Sequence, residues 1–483
     1  MKLKDLLTGV EVLGTNIDPE QNIDAVAFDS RKVTPGCLFV AVTGFAADGN
    51  RFIPMALEKG AVAVVTAKCP QEDVPYVLVA DDRKALAAIG CNFYGHPADS
   101  LCMIGVTGTN GKTSTTLLLK QILEDALHTK VGLIGTMENL IGDEVIPTER
   151  TTPESFELQG LLRQMLDAGC THVVMEVSSH AIALHRVWGI TYDIAAFTNL
   201  SEDHLDFHKT MEAYGQTKVQ LFERCKAAAV NVDDPWAKKI LSAAAAPVLT
   251  VGTSNDAALR CENVELRADG VRFQAVSGAR CAAVSLPIPG RFTVSNALLA
   301  MGIASQLDID LQKSAAALAE AKGVRGRVEV VPTPGKEYTV LIDYAHTPDG
   351  LENVLRSLRD FAKGRVITVF GCGGDRDPMK RPIMGEIAAR LSDIAVITSD
   401  NPRTEDPMQI IRDIVAGLPE EREHCVIIEN RRKAIRYAMD IAEKSDIILL
   451  AGKGHETYQE ICGVKHHLDE REEVSGYLKE RLT

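Results

Sequence analysis

Aromatic residues are scarce in this 483-residue chain: 5% in all, with two Trp. No apolar run approaches the ~18 residues that cross a bilayer, so no membrane insertion is expected. The eleven cysteines include no CxxC pair. An odd, scattered set argues against a zinc ribbon and a secreted disulfide framework, and fits reduced, mostly buried thiols in a cytoplasmic protein. The start, MKLKDLLTGVEVLG, breaks into charge and Gly before any signal-like core forms. Positive charge is also short: 52 Lys+Arg against 66 Asp+Glu give a net −14. That excludes a non-specific nucleic-acid binder. It leaves room for an anionic substrate, because a local basic pocket decides that.

Hydrophobic residues make up 46% and charged residues 24%, enough for real cores. The length suggests about three domains at roughly 150 residues each. Residues 1–100 alternate short β-branched runs, such as GAVAVVTAK and VPYVLVAD, with the helical stretch DDRKALAAIGCNFYG. Residues 101–326 open with the strand LCMIGVTG and the helix KTSTTLLLKQILEDAL. There Thr152-Pro153-Glu154 reads as a helix start, with a capping hydroxyl and Pro at the first position. Residues 327–483 carry the strands YTVLIDYA, RVITVFGCG, IAVITSDN, HCVIIEN and DIILLAGKG with helices between them. Alternating strands and helices predict mostly parallel sheets. The fold class is α/β in three domains. They are a small N-terminal α/β domain, a central P-loop-type domain with a mostly parallel sheet, and a C-terminal Rossmann-like doubly wound domain.

Gly108-Thr109-Asn110-Gly111-Lys112-Thr113 follows a strand and opens a helix. Backbone N–H groups of such a turn, with the helix N-terminus, cradle phosphate. Lys112 would reach the β/γ-phosphates and the Thr113 hydroxyl would ligate Mg²⁺. The strict pattern is not met, since Val106 stands where its first Gly would be. Ligands of open α/β sheets sit outside the carboxyl ends of the strands. Glu176 ends THVVMEVSSH, and Asp203-His204 follow YDIAAFTN, so both clusters fall there. Taken singly, a strand-end Glu reads as a cap or ion-pair partner and a lone His as structural.

The segments GVTGTNGKTS, EVSSHA, TNLSEDHLDFH, YGQTKVQLF, PGRFTVSNALLA and DYAHTPDGLENVL occur in one order along the chain. Together they resemble the Mur ligases of peptidoglycan synthesis over essentially the whole length. Within that family the chain looks like the members that add the third residue of the stem peptide. Its ATP-binding block is also similar to folylpolyglutamate synthetases.

The resemblance implies an ATP-dependent cytoplasmic ligase, monomeric, serving cell-wall biogenesis and hence cell shape and division. ATP would phosphorylate the carboxylate of a UDP-sugar-peptide, and an amine would attack the acyl phosphate. By the same resemblance ATP is held by Gly108, Thr109, Asn110, Gly111, Lys112, Thr113 and Ser114, with Asn296 near the base. Arg327 would also surround the nucleotide, with Asp343 and His346 near the ribose and phosphates. One Mg²⁺ is taken by Thr113 and Glu176, and a second involves His204 and Lys218. Lys218 matches the family's carbamylated lysine (N6-carboxylysine); on composition alone it reads as an exposed helix lysine.

Ser30, the loop 44–49, Thr151, Thr152, Ser178 and Arg186 match the UDP-sugar-peptide site. Phe45 and Leu184 depart from common family residues and touch only the fine contacts. Asp400-Asn401-Pro402-Arg403 matches the DNPR motif of meso-diaminopimelate-adding members, with Arg376, Gly452 and Glu456 completing that pocket. An Arg fork suits the extra carboxylate that separates this amino acid from lysine. Asn430 stands where relatives have Asp, and either caps the following helix. Ligands held by separate domains imply closure before chemistry. The alternatives are the same ligase using L-lysine, a relative that only binds the muropeptide, and, in another class, a P-loop switch NTPase with a protein partner.

Overall fold

The structure, a computed structural model, describes residues 1–44, 48–69, 74–148, 150–267, 269–418 and 424–482. It divides into two compact units: Met1–Arg260 with Leu298–Asp310, and Cys261–Ala297 with Leu311–Thr483. Among the described residues no helix is long and apolar enough to cross a membrane. All eleven cysteines are free; five are buried (Cys37, Cys91, Cys170, Cys261, Cys372), and Cys69, Cys281 and Cys462 are exposed.

The first unit begins with a sheet of β1 (Val12–Thr15), β2 (Ala25–Ala27), β3 (Cys37–Val40), β4 (Ala61–Thr66) and β5 (Tyr76–Val79) in the order β1-β5-β4-β3-β2. Only β1 runs antiparallel to its neighbour. Leu38, Val40, Val65 and Val77 pack with Leu3, Leu6 and Ile89 into one core.

A second sheet is built on β6 (Cys102–Thr107), which lies between β10 (Cys170–Glu176) and β11 (Tyr192–Phe197). Beyond β10 comes β7 (Lys130–Ile134); beyond β11 come β12 (Cys225–Asn231) and β13 (Val248–Gly252), all parallel. The short β8 (Asn139–Ile141) and β9 (Glu144–Ile146) add an antiparallel edge. Near-continuous apolar runs such as CMIGVT are what a parallel sheet covered on both faces demands. Met103, Ile104 and Val106 are accordingly buried. The strand β14 (Leu259–Arg267) starts beside β13.

The helix expected from Thr152 starts later, at Ser155, with Glu154 at the cap position and no side-chain cap bond. The Thr152 hydroxyl is turned instead to the end of β10, donating to the Glu176 carbonyl at 2.8 Å and accepting from Ser178 N at 3.2 Å.

In the second unit β15 (Gly270–Ser277) and β16 (Arg280–Leu286) form an antiparallel hairpin. The main sheet contains β17 (Glu329–Val331), β18 (Thr339–Asp343), β19 (Val366–Phe370), β20 (Ile394–Ile397), β21 (Cys425–Ile427) and β22 (Ile447–Ala451). Its order is β17-β18-β22-β19-β20-β21, parallel except for the β17 edge. Successive side chains on a strand face opposite sides. Ile447 and Leu449 therefore join the helices 348–359, 380–391 and 407–415, while Ile448 and Leu450 join the helices 431–441 and 470–482. This is the doubly wound arrangement expected. Asn430 caps the helix Arg431–Ile441 by accepting from the Lys433 N–H. A ribbon of β23 (Tyr458–Ile461) and β24 (Val464–His467) follows β22.

Candidate functional site

In the first unit the polar groups gather at the carboxyl ends of β6, β10 and β11. The turn after β6 runs into the helix Lys112–Leu127. Gly108 has φ +146, and a Cβ there would overlap Thr198 Oγ1, so the turn closes against the end of β11 only as glycine. The turn is fastened by Asn199, whose carbonyl accepts from Thr109 N and whose Oδ1 accepts from Asn110 N. Thr198 Oγ1 donates to the Asn110 carbonyl at 2.6 Å. The Lys112 ammonium folds over the turn, donating to the carbonyls of Gly108 and Thr109 at 3.0 and 2.8 Å. The helix start at Gly111 carries no side-chain cap. Its first N–H groups, Ser114 among them, open the helix as a phosphate cradle requires.

Glu176 is 1% exposed, and Thr113 Oγ1 donates to its Oε1 at 2.9 Å. A residue the sequence reading missed completes the clasp. Thr136, just past β7, donates its N–H to Oε1 at 2.9 Å and its hydroxyl to Oε2 at 3.0 Å. Its position outside a strand's carboxyl end was the available signal. A Cβ on Gly135 would stand 2.6 Å from Glu176 Oε1, so glycine makes room for the carboxylate. Among the described residues no group of three or more His, Cys, Asp or Glu is set to hold a metal. Mg²⁺ asks for less: one or two carboxylates, with waters and substrate phosphates filling the rest. Thr113 and Glu176 supply hard oxygens of that kind beside the cradle, so the donor set fits.

Lys218 is 2% exposed, on the helix Met211–Val219, unlike the exposed helix lysine that composition alone suggests. Its Nζ donates to the Gly108 carbonyl at 2.9 Å and lies 4.4 Å from the centre of the Tyr214 ring. Burial pushes its pKa well below the ordinary lysine value, and the nearby Lys112 charge adds to this against the pull of Asp203. Tyr214 in turn shares a hydrogen bond with Thr109 Oγ1, 3.1 Å away. His204 stands at a left-handed position (φ +54), with its ring near those of His180 and Tyr214 and its Nε2 3.4 Å from Asp203. His204, Tyr214, Thr109 and Lys218 therefore form one chain of contacts along the turn.

The matched sugar-peptide residues gather next to Glu176. Thr151 Oγ1 lies 3.0 Å from Thr136 Oγ1. Thr152 Oγ1 accepts from Ser178 N at 3.2 Å, and Ser178 caps the helix Ser179–Ala183. Arg186 donates to the Thr152 carbonyl and pairs with Glu154 at 3.0 Å. Its buried Nε has no hydrogen-bond partner. Ser30 is buried on the turn Ser30–Lys32 beside the first sheet. Phe45, Ala46 and Ala47 lie outside the described residues. Leu184 places its carbonyl 3.5 Å from Arg83 Nη1.

In the second unit Asn296 is buried on the helix Arg291–Ser305. Both oxygens of Asp343 accept backbone N–H groups, from Val328 and Ala345 at 2.8 Å each. This carboxylate shapes the turn after β18, and burial pushes its pKa up. Arg327 sits over the Tyr344 ring, which also neighbours the rings of His346 and His455. Burial pushes His346 below the usual histidine value.

The DNPR segment and the segment Gly452-Lys453-Gly454-His455-Glu456 (GKGHE) meet at the ends of β20 and β22. Asn401 Nδ2 donates to Glu456 Oε2 at 2.9 Å, and the fully buried Lys453 donates to both Asn401 Oδ1 and Glu456 Oε2. Arg403 follows Pro402 in a left-handed conformation (φ +51) and donates from Nη1 to the Gly374 carbonyl at 2.6 Å. Its backbone is paired to the ribbon: Arg403 N donates to Glu460 O, and Cys462 N donates to Arg403 O. Glu460 also reaches Arg403 Nε at 3.3 Å. Arg376 is held less, donating to the Asp375 carbonyl at 3.2 Å. Lys453 and Glu460 were not singled out in the sequence, although Lys453 lies between the named Gly452 and Glu456.

A phosphate cradle with a strand-end carboxylate in one unit, and a doubly wound sheet with DNPR and GKGHE in the other, form a combination that known families can be tested against. Residues 22–94 match the model of the Mur ligase family catalytic domain. Residues 106–304 match the Mur ligase middle domain, and residues 326–454 the Mur ligase glutamate ligase domain. The chain belongs to the Mur ligase family. It is 48% identical to the UDP-N-acetylmuramoyl-L-alanyl-D-glutamate–2,6-diaminopimelate ligase of Caldanaerobacter subterraneus subsp. tengcongensis, over 99% of both chains. It is 46% identical to the Clostridium botulinum ligase of the same name, over 95% of this chain and 96% of that one. A solved structure of a ligase with that name superposes with a TM-score of 0.76 at 32% identity, covering 100% of this chain and 99% of the other.

Proposed function

We propose that this chain is the ATP-dependent ligase that joins meso-diaminopimelate to the D-Glu of UDP-MurNAc-L-Ala-D-Glu in peptidoglycan synthesis. The observation that carries the reading is the Thr113–Glu176 hydrogen bond at the mouth of the glycine turn, with Lys218 buried against the same turn. The residues work in three domains, 1–100 for the uridine end, 101–326 for ATP and 327–483 for the amino acid. The enzyme acts in the cytoplasm as a monomer, on small molecules alone.

A carboxylate that attacks ATP is an anion approaching an anion, so the site must neutralise charge before reaction. Lys112 and the turn's N–H groups supply fixed positive charge and dipoles at the phosphates. Thr113 and Glu176 are the residues that would hold Mg²⁺, with His204 serving a second ion; the metal supplies charge neutralisation at the phosphoryl oxygens. Lys218 is a buried amine disposed to be neutral, the form that adds CO₂ to give a carbamate. The carbamate would bring an anion where the unmodified side chain brings a cation. Thr151, Thr152, Ser178 and Arg186 line up the sugar-peptide carboxylate. The D-Glu carboxylate takes the γ-phosphoryl group and ADP leaves. The amine of the incoming amino acid then attacks the acyl carbon, and phosphate departs. Arg403, Asn401 and Glu456 hold that amino acid, with Arg376 and Gly452 alongside.

The test is phosphate release with UDP-MurNAc-L-Ala-D-Glu, ATP and Mg²⁺ against a panel of amino acids. The expected result is release that depends on meso-diaminopimelate. Equal release with L-lysine would remove the amino-acid assignment, and no amino-acid dependence would remove the ligase reading.

A further inference from the structure

The loops that carry DNPR and GKGHE leave β20 and β22, two strands separated in the sheet by β19. Something must set their spacing. Arg431, the first residue of the helix Arg431–Ile441, is 1% exposed and reaches both loops. Its Nη2 donates to the Ala451 carbonyl at 2.8 Å, one residue before Gly452. Its Nη1 points at Asp400 Oδ2 across 3.6 Å, and neither atom has a hydrogen-bond partner among the described residues. Its Nε donates at 2.8 Å to Glu470 Oε1, and the Glu470 side chain is as fully enclosed as the guanidinium.

Asp400 is fixed on its other side, where Oδ1 accepts from Asn401 N at 2.7 Å. Gly452 adopts φ +113, and a Cβ there would stand 2.9 Å from Asp400 Oδ2. The two loops therefore touch, and one guanidinium stands under both. A buried ion pair contributes poorly to stability, because desolvation offsets most of the attraction. Geometry is the better account of this one. An Arg fork holds a carbonyl and a carboxylate in one plane, which an ammonium does not.

We propose that Arg431, itself oriented by Glu470, is a positioning residue for the incoming amino acid, tying Asp400 of DNPR to Ala451–Gly452 of GKGHE. This rests on the amino-acid-site reading above. Arg431 touches no substrate. It acts by fixing the spacing at which Asn401, Arg403 and Glu456 present themselves.

The experiment compares the full-length wild type with Arg431→Lys and with the double variant Arg431→Leu/Glu470→Leu. The double variant removes the fully enclosed Arg431–Glu470 pair together, so neither of those two charges is left alone, and Asp400 keeps its bond from the Asn401 N–H. Phosphate release is followed with each of the three substrates varied in turn, and thermal unfolding is measured in parallel. The expected result is a rise of at least about tenfold in KM for meso-diaminopimelate in both variants, the equivalent of ~1.4 kcal/mol. KM for ATP and for the UDP-sugar-peptide should stay within about twofold, at the usual tolerance of additive, distant sites. If the double variant regains wild-type stability and wild-type KM for the amino acid, the pair is structural only and the proposal is overturned. A parallel rise of all three KM values in Arg431→Lys overturns it as well, and that variant decides the matter if the double variant does not fold. A wild type that releases no phosphate with meso-diaminopimelate is a different failure: it removes the amino-acid site itself.

Discussion

Lys112 and Lys218 donate to one acceptor, the carbonyl of Gly108, at 3.0 and 2.9 Å. They come 106 residues apart in sequence and from two different helices. One is partly accessible at the mouth of the turn and the other is enclosed beneath it. Two ammonium groups on one oxygen are costly in a place removed from water. The strain is relieved if the enclosed one is neutral or converted to an anion. That asymmetry separates their roles and leads to different expectations for each.

Lys112→Ala should cut turnover by at least about a hundredfold, the scale seen when one preorganised charge or donor is removed at a reacting oxyanion. Its ammonium is held by carbonyls of the turn, through local hydrogen bonds that build no part of the core, so the unfolding temperature should change little. Phosphate release and a thermal melt on the same preparation check both halves. Near-normal turnover in a folded variant would count against the ATP reading of this turn.

Lys218→Ala should be nearly inactive. If the missing group is a carbamate, small carboxylic acids such as acetate or formate should restore part of the activity by filling the emptied anionic position. Their amide counterparts should not. Equal rescue by acid and amide would separate the lysine from carbamate chemistry.

The same lysine gives a pH dependence of stability. Its pKa in the fold is depressed from the ordinary 10.5. Between those two values the unfolded chain binds the extra proton, so stability rises with pH through that window. Below the window the penalty is constant. Lys218→Met should therefore be more stable than wild type at neutral pH in CO₂-free buffer, and the gap should close as pH climbs toward 10.5. Denaturant midpoints across that range provide the measurement; a gap independent of pH would tell against the buried cation.

Thr136→Val keeps the N–H that reaches Glu176 Oε1 and deletes the hydroxyl on Oε2. A hydrogen bond to a charged group contributes about 1.5–3 kcal/mol. The expected outcome is a weaker apparent Mg²⁺ affinity by roughly tenfold or more on that scale, with KM for the amino acid unchanged. Mg²⁺ titration of phosphate release reads this directly.

Arg403→Ala should lose most of its kcat/KM with meso-diaminopimelate, by one to two orders of magnitude on the about 1.5–3 kcal/mol scale of a charged hydrogen bond. It should not become an efficient lysine enzyme, because deleting a cation creates no pocket for an ammonium. Both amino acids are measured with both proteins. An unchanged ratio would sink the DNPR reading and leave the ligase reading standing.

Much of this site was legible because its residues are consecutive. The turn 108–113, DNPR and GKGHE are local signals, and strand-end placement followed from parallel-sheet topology. The helix Lys112–Leu127 begins and ends where its apolar pattern does. What escaped depended on distance in sequence. Thr136 is a lone hydroxyl after an unremarked strand, and only the fold brings it to Glu176. Glu460 reaches Arg403 through a ribbon that no turn signal marked. Thr152 was misread as a cap because a local motif was weighed and a long-range acceptor, the Glu176 carbonyl, won its hydroxyl. The two backbone N–H groups that orient Asp343, from Val328 and Ala345, likewise come from outside its own strand.

The pairing of Arg403 with the ribbon has a consequence for how such a pocket changes over generations. Arg403 exchanges backbone hydrogen bonds with Glu460 and Cys462. The selecting side chain is thus steered by a segment outside the motif. In β-structure a slip of one residue turns every side chain to the opposite face. A single insertion between Glu460 and Cys462 would break this pairing and re-aim the guanidinium while leaving each motif letter intact. The aim of Arg403 is therefore set by the spacing of residues in the ribbon as well as by the letters of DNPR.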